Sequence, residues 1–179
     1  KAGEKPNALF AHNAQQVCAA NVHAQSLSAN GVLGRIAQAL TRREKDPYSE
    51  DEWRAYCTVN KKFAEKVMEV YEPGYLTRGH DYHLLLLPSY ILRRHRTAHI
   101  GLFLHSPFPA SDVFRTIAVR DELLRAMLNA DLIGFLLFEY TRNFLTCCKR
   151  MLGLEYEFQR GGFLGVEYGG RHVMVQVST

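Results

Sequence analysis

The chain lacks any apolar run that could span a bilayer: the four leucines at 84–87 are closed at once by Pro88. Its first residues hold no compact apolar stretch ending in a small-residue cleavage site, so no secretory signal is visible. Cysteine is sparse, and Cys18, Cys57, Cys147 and Cys148 form neither a CxxC spacing nor a metal-finger pattern. That argues against a disulfide framework and for a reducing compartment. Together these absences point to the cytoplasm, with an organelle left open because the chain opens on Lys1 rather than Met. An excess of one charge is lacking too. Lys and Arg number 22 against 18 Asp and Glu, the net +4 is spread along the chain, and no nucleic-acid partner is expected. The local cluster Arg93, Arg94, His95 and Arg96 reads as a solvated helix end favoured by the helix dipole, with phosphate binding as the alternative.

What is there is an ordinary globular composition: 179 residues, 47% apolar and 22% charged, suffice for one domain with a real core. The chain divides near residue 48. Residues 1–48 are rich in Ala, Asn and Gln, with one short helical stripe through Val32, Leu33, Ile36 and Leu40. Such a stripe is too short to be stable alone in water. This segment is read as an extension or docking arm, through which a protein partner would bind.

From Ser49 the signals sharpen. Ser49 and Glu52 have capping-box spacing, and Trp53, Tyr56, Phe63, Val67 and Val70 recur on one helical face until Pro73-Gly74 ends it. A short extended piece leads to His80-Asp81. Residues 82–96 read as a helix interrupted near Pro88. Residues 100–104, apolar on both faces, predict a strand buried in a parallel sheet, and residues 132–135 predict another. Helices are expected from Ser111, over 121–129, and through Phe144 to Leu152, where Gly153 sits as a C-cap. Residues 163–168 and 171–177, joined at Gly169-Gly170, read as a hairpin. The expected fold is α/β: a parallel Rossmann-like sheet flanked by helices with a C-terminal β-hairpin, and ligands at the carboxyl ends of its strands.

Two polar clusters fall at such ends. In His80-Asp81-Tyr82-His83 the aspartate can accept hydrogen bonds from ligand hydroxyls, since an ionised carboxylate only accepts and sugars are rich in donors. The alternatives are a helix N-cap for Asp81 and satisfied rings for the histidines. A metal site on His80 and His83 finds no further carboxylate or thiol cluster to complete it. In His105-Ser106-Pro107-Phe108-Pro109 a histidine ends an apolar strand, and two prolines stiffen the loop that follows.

These stretches occur in one order: Trp53-Arg54-Ala55-Tyr56 with Asn60 and Phe63, HDYHLLLLP at 80–88, IGLFLHSPFP at 100–109, Arg115, Arg120-Asp121, DLIGF at 131–135 and the run 148–153. Over about residues 52–175 the chain resembles the trehalose-6-phosphate synthases, especially the plant-type long forms. The resemblance implies an incomplete N-terminal half of a GT-B glycosyltransferase, which joins glucose from UDP-glucose to glucose 6-phosphate with retention and without a cofactor or metal. It gives Asp81 the role of binding the acceptor sugar and His105 that of assisting at the reacting centre. Catalysis would then rest on positioning and charge stabilisation between two domains.

Against that family pattern the chain departs in several places. The N-terminal strand with its Asn-Arg and glycine loop is replaced by residues 1–48, and the Trp-Pro-x-x-His segment before Trp53 is missing. The strand before HDYH reads Leu76-Thr77-Arg78-Gly79 in place of Val-Trp-Val, which predicts a shortened, exposed or edge strand, because a buried unpaired arginine is costly. Gly-Phe-His-Thr becomes Gly134-Phe135-Leu136-Leu137, and Arg-His-Phe becomes Arg142-Asn143-Phe144. The sequence closes at Thr179 before a nucleotide-binding domain, so the isolated chain is expected to have no synthase activity. The readings are therefore a synthase domain (residues 49–179, partial) or a non-catalytic structural or regulatory subunit of a larger assembly. A metal-binding or hydrolytic protein built on the histidines ranks behind both.

Overall fold

A computed structural model describes residues 49–158 and 164–177. The extension over 1–48 lies outside them. The helix α1 (Glu50–Val70) leads into β1 (Leu76–His80), a 3-10 turn (Tyr82–Leu84), α2 (Leu87–Arg94) and β2 (His99–Leu104). A one-turn helix α3 (Ser111–Phe114), α4 (Arg120–Met127), β3 (Leu132–Phe135), α5 (Phe138–Leu152), β4 (Tyr156–Phe158), β5 (Leu164–Tyr168) and β6 (Arg171–Val177) complete the order.

The six strands form one sheet in the order β1-β2-β3-β6-β5-β4. The first four run parallel, and β6-β5-β4 are antiparallel neighbours. The predicted hairpin is present, with Gly169 and Gly170 both at positive φ (58° and 75°), as a two-residue hairpin turn requires. It is more than a hairpin, though. Its second strand continues the parallel sheet beside β3, with Ile133 opposite Val175, and β4, which no sequence signal marks, extends the other side. At the amino ends of the strands, Arg171 donates to Asn129 O at 2.9 Å and to Asp131 Oδ1 at 2.5 Å. Asp131 Oδ2 accepts from Ile100 N–H at 2.7 Å, so one carboxylate ties the hairpin turn to the start of β2.

The apolar stripe of α1 is buried through Trp53, Tyr56, Phe63 and Val67 as its spacing predicts, with Ala64 beside them, but Val70, expected on the same face, ends the helix exposed. The capping box is not made. Ser49 occupies the N-cap but offers only its backbone carbonyl, which accepts from Trp53 N–H at 3.0 Å. The acidic first turn, Glu50, Asp51 and Glu52, supplies the charge that the helix N-terminus favours. The helix expected over 82–96 divides at Pro88, which falls in the first turn of α2 where its missing N–H costs nothing. Gly153, at φ 68°, ends α5 as predicted.

β2 and β3 are buried on both faces, whereas β1 is an edge strand of the described sheet. Arg78 is exposed there, with its guanidinium 5.3 Å from the centre of the Phe103 ring. The edge position thus explains how an arginine is tolerated where a buried strand could not hold one. Beyond β2 the proline-rich loop is anchored by a buried ring. Phe108 lies 5.0 Å from Phe114, 5.4 Å from Phe144 and 5.8 Å from Phe135, centre to centre. Among the described residues, no helix is long and apolar enough to cross a membrane.

Candidate active site

Parallel pairing with His80 opposite Phe103 brings the carboxyl ends of β1 and β2 side by side. The two polar clusters therefore meet. His80 Nδ1 lies 3.2 Å from His105 Nε2, and the rings meet edge to edge, their centres 5.4 Å apart and their planes 20° from parallel. Phe103 packs against both, with its ring edge-on to His105 at 4.7 Å and 6.4 Å from His80. Burial, the Arg78 charge and the neighbouring His105 hold the His80 imidazole below its ordinary pKa, against the opposing pull of Asp81. That ring is therefore neutral near pH 7.

Asp81 follows directly, and its backbone is unusual. At φ 62° and ψ 178° it is the one non-glycine residue of positive φ among those described, in a region that L-residues adopt at a cost of about 1–3 kcal/mol. Four hydrogen bonds hold it there. Its N–H donates to Phe103 O at 2.7 Å, and its carbonyl accepts from Leu84 N–H at 3.2 Å. Its carboxylate Oδ1 accepts from Tyr82 N–H at 3.0 Å and from Ser106 N–H at 3.2 Å. Asp81 is thus an N-cap, as one reading of the sequence has it, and at the same time a fastener between the two strand ends. Among the described residues its side-chain hydrogen bonds all fall on Oδ1, and none is made to the second carboxylate oxygen.

The turn that carries Asp81 is gripped from α1. Tyr56 Oη donates to Tyr82 O at 2.8 Å and accepts from Leu85 N–H at 3.2 Å. Asn60 Nδ2 donates to Tyr56 O and to His83 O, both at 3.1 Å. Burial drives the Tyr56 phenol far above its ordinary pKa, so the hydroxyl keeps its proton and can both donate and accept. Sequence reasoning takes Tyr56 for core and passes over Asn60 as a support. The signal is there: a polar residue on the buried stripe of an amphipathic helix must find partners. His83 goes elsewhere. It is half-buried against Tyr82, ring centres 4.1 Å apart, with Nδ1 buried and unpartnered, and it takes no part in the His80–His105 contact. Among the described residues, no group of three or more His, Cys, Asp or Glu converges on one point.

Residues 29–179 match glycosyltransferase family 20. The chain belongs to that family. It is 49% identical over 140 residues to a probable alpha,alpha-trehalose-phosphate synthase [UDP-forming] 11 of Arabidopsis thaliana, covering 77% of this chain and 16% of the relative. It is 55% identical over 126 residues to the corresponding protein 5 of the same plant, covering 70% of this chain and 14% of that one. The chain thus spans about a sixth of the length of these relatives.

Solved structures of the same fold include the N-terminal domain of Candida albicans trehalose-6-phosphate phosphatase (38% identity, TM-score 0.69, 78% of this chain and 29% of that one). An alpha,alpha-trehalose-phosphate synthase from Burkholderia xenovorans in complex with glucose-6-phosphate aligns at 26% identity and TM-score 0.68, over 72% and 29% of the two chains. An E. coli structure bound with UDP-2-fluoro glucose aligns at 25% identity and TM-score 0.71, over 79% and 31%. The sheet and its helices therefore share the fold of part of the N-terminal domain of these proteins. The match also takes in residues 29–48, part of the segment that the sequence reading sets apart as an extension.

This family 20 chain carries one feature at the strand ends that sequence comparison flags only as a lost polar group. Leu104 pairs with Phe135, so Leu136 follows beside His105 on the ledge. Leu136, Leu137 and Phe138 are 43%, 51% and 61% exposed. The ledge is polar over β1 and β2 and apolar beyond β3. Asn143, the other flagged departure, is structural: its Nδ2 donates to Phe108 O at 3.0 Å and holds the proline-rich loop.

Proposed function

We propose that this chain supplies the acceptor-side half of a trehalose-6-phosphate synthase site, where glucose passes from UDP-glucose to glucose 6-phosphate. Asp81 binds hydroxyls of the acceptor sugar, and His105 stands at the reacting centre. The observation that carries this reading is the meeting of His80, Asp81 and His105 at two adjacent strand ends, with Asp81 Oδ1 fastened to the loop after His105. Support comes from the relatives named as UDP-forming synthases, and from structural neighbours holding glucose-6-phosphate and UDP-2-fluoro glucose. The chemistry fits residues of this kind. A carboxylate with one oxygen spent on backbone donors is locked in orientation, and a locked acceptor places a sugar hydroxyl for transfer with no protein nucleophile required. By itself the chain binds the acceptor without turning it over, because stabilising a leaving diphosphate requires cationic groups facing this ledge from a second lobe.

Calorimetric titration of the chain with glucose 6-phosphate tests this reading. Binding is expected, with loss in Asp81→Ala and no release of UDP from UDP-glucose. Binding of equal strength in Asp81→Ala would remove Asp81 from the site.

A second reading, a non-catalytic structural or regulatory subunit, is favoured by the exposed Leu136-Leu137-Phe138 ledge. The same fold also forms the N-terminal domain of a protein named as a phosphatase. Under that reading the chain binds neither sugar, and the same titration returns no heat.

A further inference from the structure

We propose that His80 is a positioning residue for His105: its Nδ1–H donates to His105 Nε2, and that bond leaves His105 a single protonated nitrogen, Nδ1, to offer at the reacting centre. The two histidines are 25 residues apart in the chain, and the parallel pairing of β1 with β2 brings them together. Their facing nitrogens are 3.2 Å apart, while the ring centres are 5.4 Å apart and the planes 20° from parallel. That separation of centres is close to the largest the contact permits, so each nitrogen points almost straight at the other. This is the alignment of an N–H···N hydrogen bond. Such a bond holds one proton. Two bare nitrogens would repel and two N–H groups would collide, so the tautomers of the two rings are linked.

Which ring donates follows from the work of His105, and this direction rests on the acceptor-site reading. With Nε2 engaged, only Nδ1 of His105 is left for a ligand. Glucosyl transfer from UDP-glucose builds negative charge on the departing diphosphate, and only a hydrogen-bond donor stabilises such oxygens. Nδ1 must then carry the proton, Nε2 must be bare, and His80 must supply the N–H between them. An imidazole free in water carries its proton mainly on Nε2, so His105 needs a partner to hold the other form. The tautomer of a histidine is set by the hydrogen bond that its other nitrogen makes. His80 suits that task, because it is neutral near pH 7 and donates without placing a second positive charge beside Arg78. Both rings are exposed, yet their surroundings keep them aligned. Phe103 packs against both, Asp81 N–H donates to Phe103 O at 2.7 Å, and Asp81 Oδ1 accepts from the N–H of Ser106, the residue after His105. Little ordering entropy is lost when the bond forms, since the two strand ends are already tied.

The test reads the ring tautomers in the full 179-residue chain by heteronuclear NMR, through couplings to the carbon-bound ring hydrogens, at mildly alkaline pH where both rings are neutral. In the parent, His80 and His105 should both carry the proton on Nδ1, the minor form of a free imidazole. In His80→Ala the proton of His105 should move mainly to Nε2. His80→Asn, whose amide N–H falls near the place of Nδ1, should restore the Nδ1–H form, which a merely structural role of His80 would not do. A proton on Nε2 of His105 in the parent, or a tautomer unmoved in His80→Ala, overturns the proposal. If His80→Ala fails to fold, the parent spectrum decides on the same criterion. Calorimetry of the parent with glucose 6-phosphate judges the acceptor-site reading separately. No heat counts against that reading, and with it the use proposed for the proton, even where the tautomers are as expected. Heat together with a proton on Nε2 of His105 keeps the reading and removes His80 from it.

Discussion

One carboxylate oxygen of Asp81 accepts the backbone N–H of Ser106 at 3.2 Å, fastening the loop after β2 to the end of β1. The same oxygen holds Tyr82 N–H, so Asp81 is tied to a strained backbone by the bonds it makes. Asp81→Ala removes both bonds and keeps the strain. Asp81→Gly removes both and relieves it. Urea denaturation should therefore rank the parent first, Asp81→Gly next and Asp81→Ala last, with Gly above Ala by about 1–3 kcal/mol. An alanine variant as stable as the glycine variant would show that the backbone there is not strained.

Gly134 faces Phe103 across the β2–β3 pairing, and a Cβ built on it would lie 2.5 Å from Phe103 Cδ2. Gly134→Ala must push a buried ring that also underlies His105. A loss of about 1–3 kcal/mol is expected in thermal or chemical unfolding. Adding Phe103→Leu to the same chain should recover part of it, because the smaller side chain vacates the space.

Tyr56→Phe deletes one hydroxyl and strands two backbone groups, the carbonyl of Tyr82 and the N–H of Leu85. Leaving buried polar groups unpaired costs about 1–3 kcal/mol, and the loss should appear in unfolding experiments. Hydrogen exchange should localise it, with faster exchange at Leu85 and unchanged exchange in β3.

Burial lowers the pKa of His83, whose Nδ1 has no partner, and that of His80. As pH falls, the unfolded chain takes up these protons first, at the ordinary histidine value near 6.5, and the folded chain resists until a lower pH. Stability is therefore fully present at neutral pH and declines in the acidic window below that value. Urea midpoints measured across this window should show the decline, and His83→Gln should flatten it. A parent midpoint constant across the window would refute the claim that these rings are held neutral.

Burial pushes the Cys147 thiol up to about 12 and Cys148 higher still, and both side chains are buried in α5. Neither presents a thiolate at neutral pH, so maleimide should label them only after unfolding. Cys57, half-buried and also raised by burial, should label in the native state but more slowly than a free thiol. Mass spectrometry of peptides after a timed pulse distinguishes the three.

The candidate site is partly legible in the amino-acid sequence. HDYH and FLHSPFP place an aspartate and a histidine where strands end, and that much follows from apolar runs and their polar stops. Asn60 escapes such a reading because a helical stripe is read for its apolar members, although its buried position demands partners. β4 escapes it because three residues, Tyr156–Phe158, are too few for alternation to show, and only pairing with β5 makes them a strand.

By itself the sequence determined the elements. Periodicity located α1 and the buried strands, Gly153 and Gly169-Gly170 marked a helix end and a hairpin turn, and the motif order carried the family. The family resemblance also put His80-Asp81 and His105 at neighbouring strand ends, and the tertiary structure decided the contacts made there. Local propensity acts over a few residues, whereas the contact of His80 with His105, the grip of Tyr56 on the Asp81 turn and the joining of β6 to β3 link residues 25 to 42 positions apart. Such contacts depend on strand order and register, which are set by how apolar faces pack together. Arg78 shows the division plainly: the sequence called for an exposed or edge position, and the fold supplied it by making β1 an edge and laying the guanidinium on Phe103.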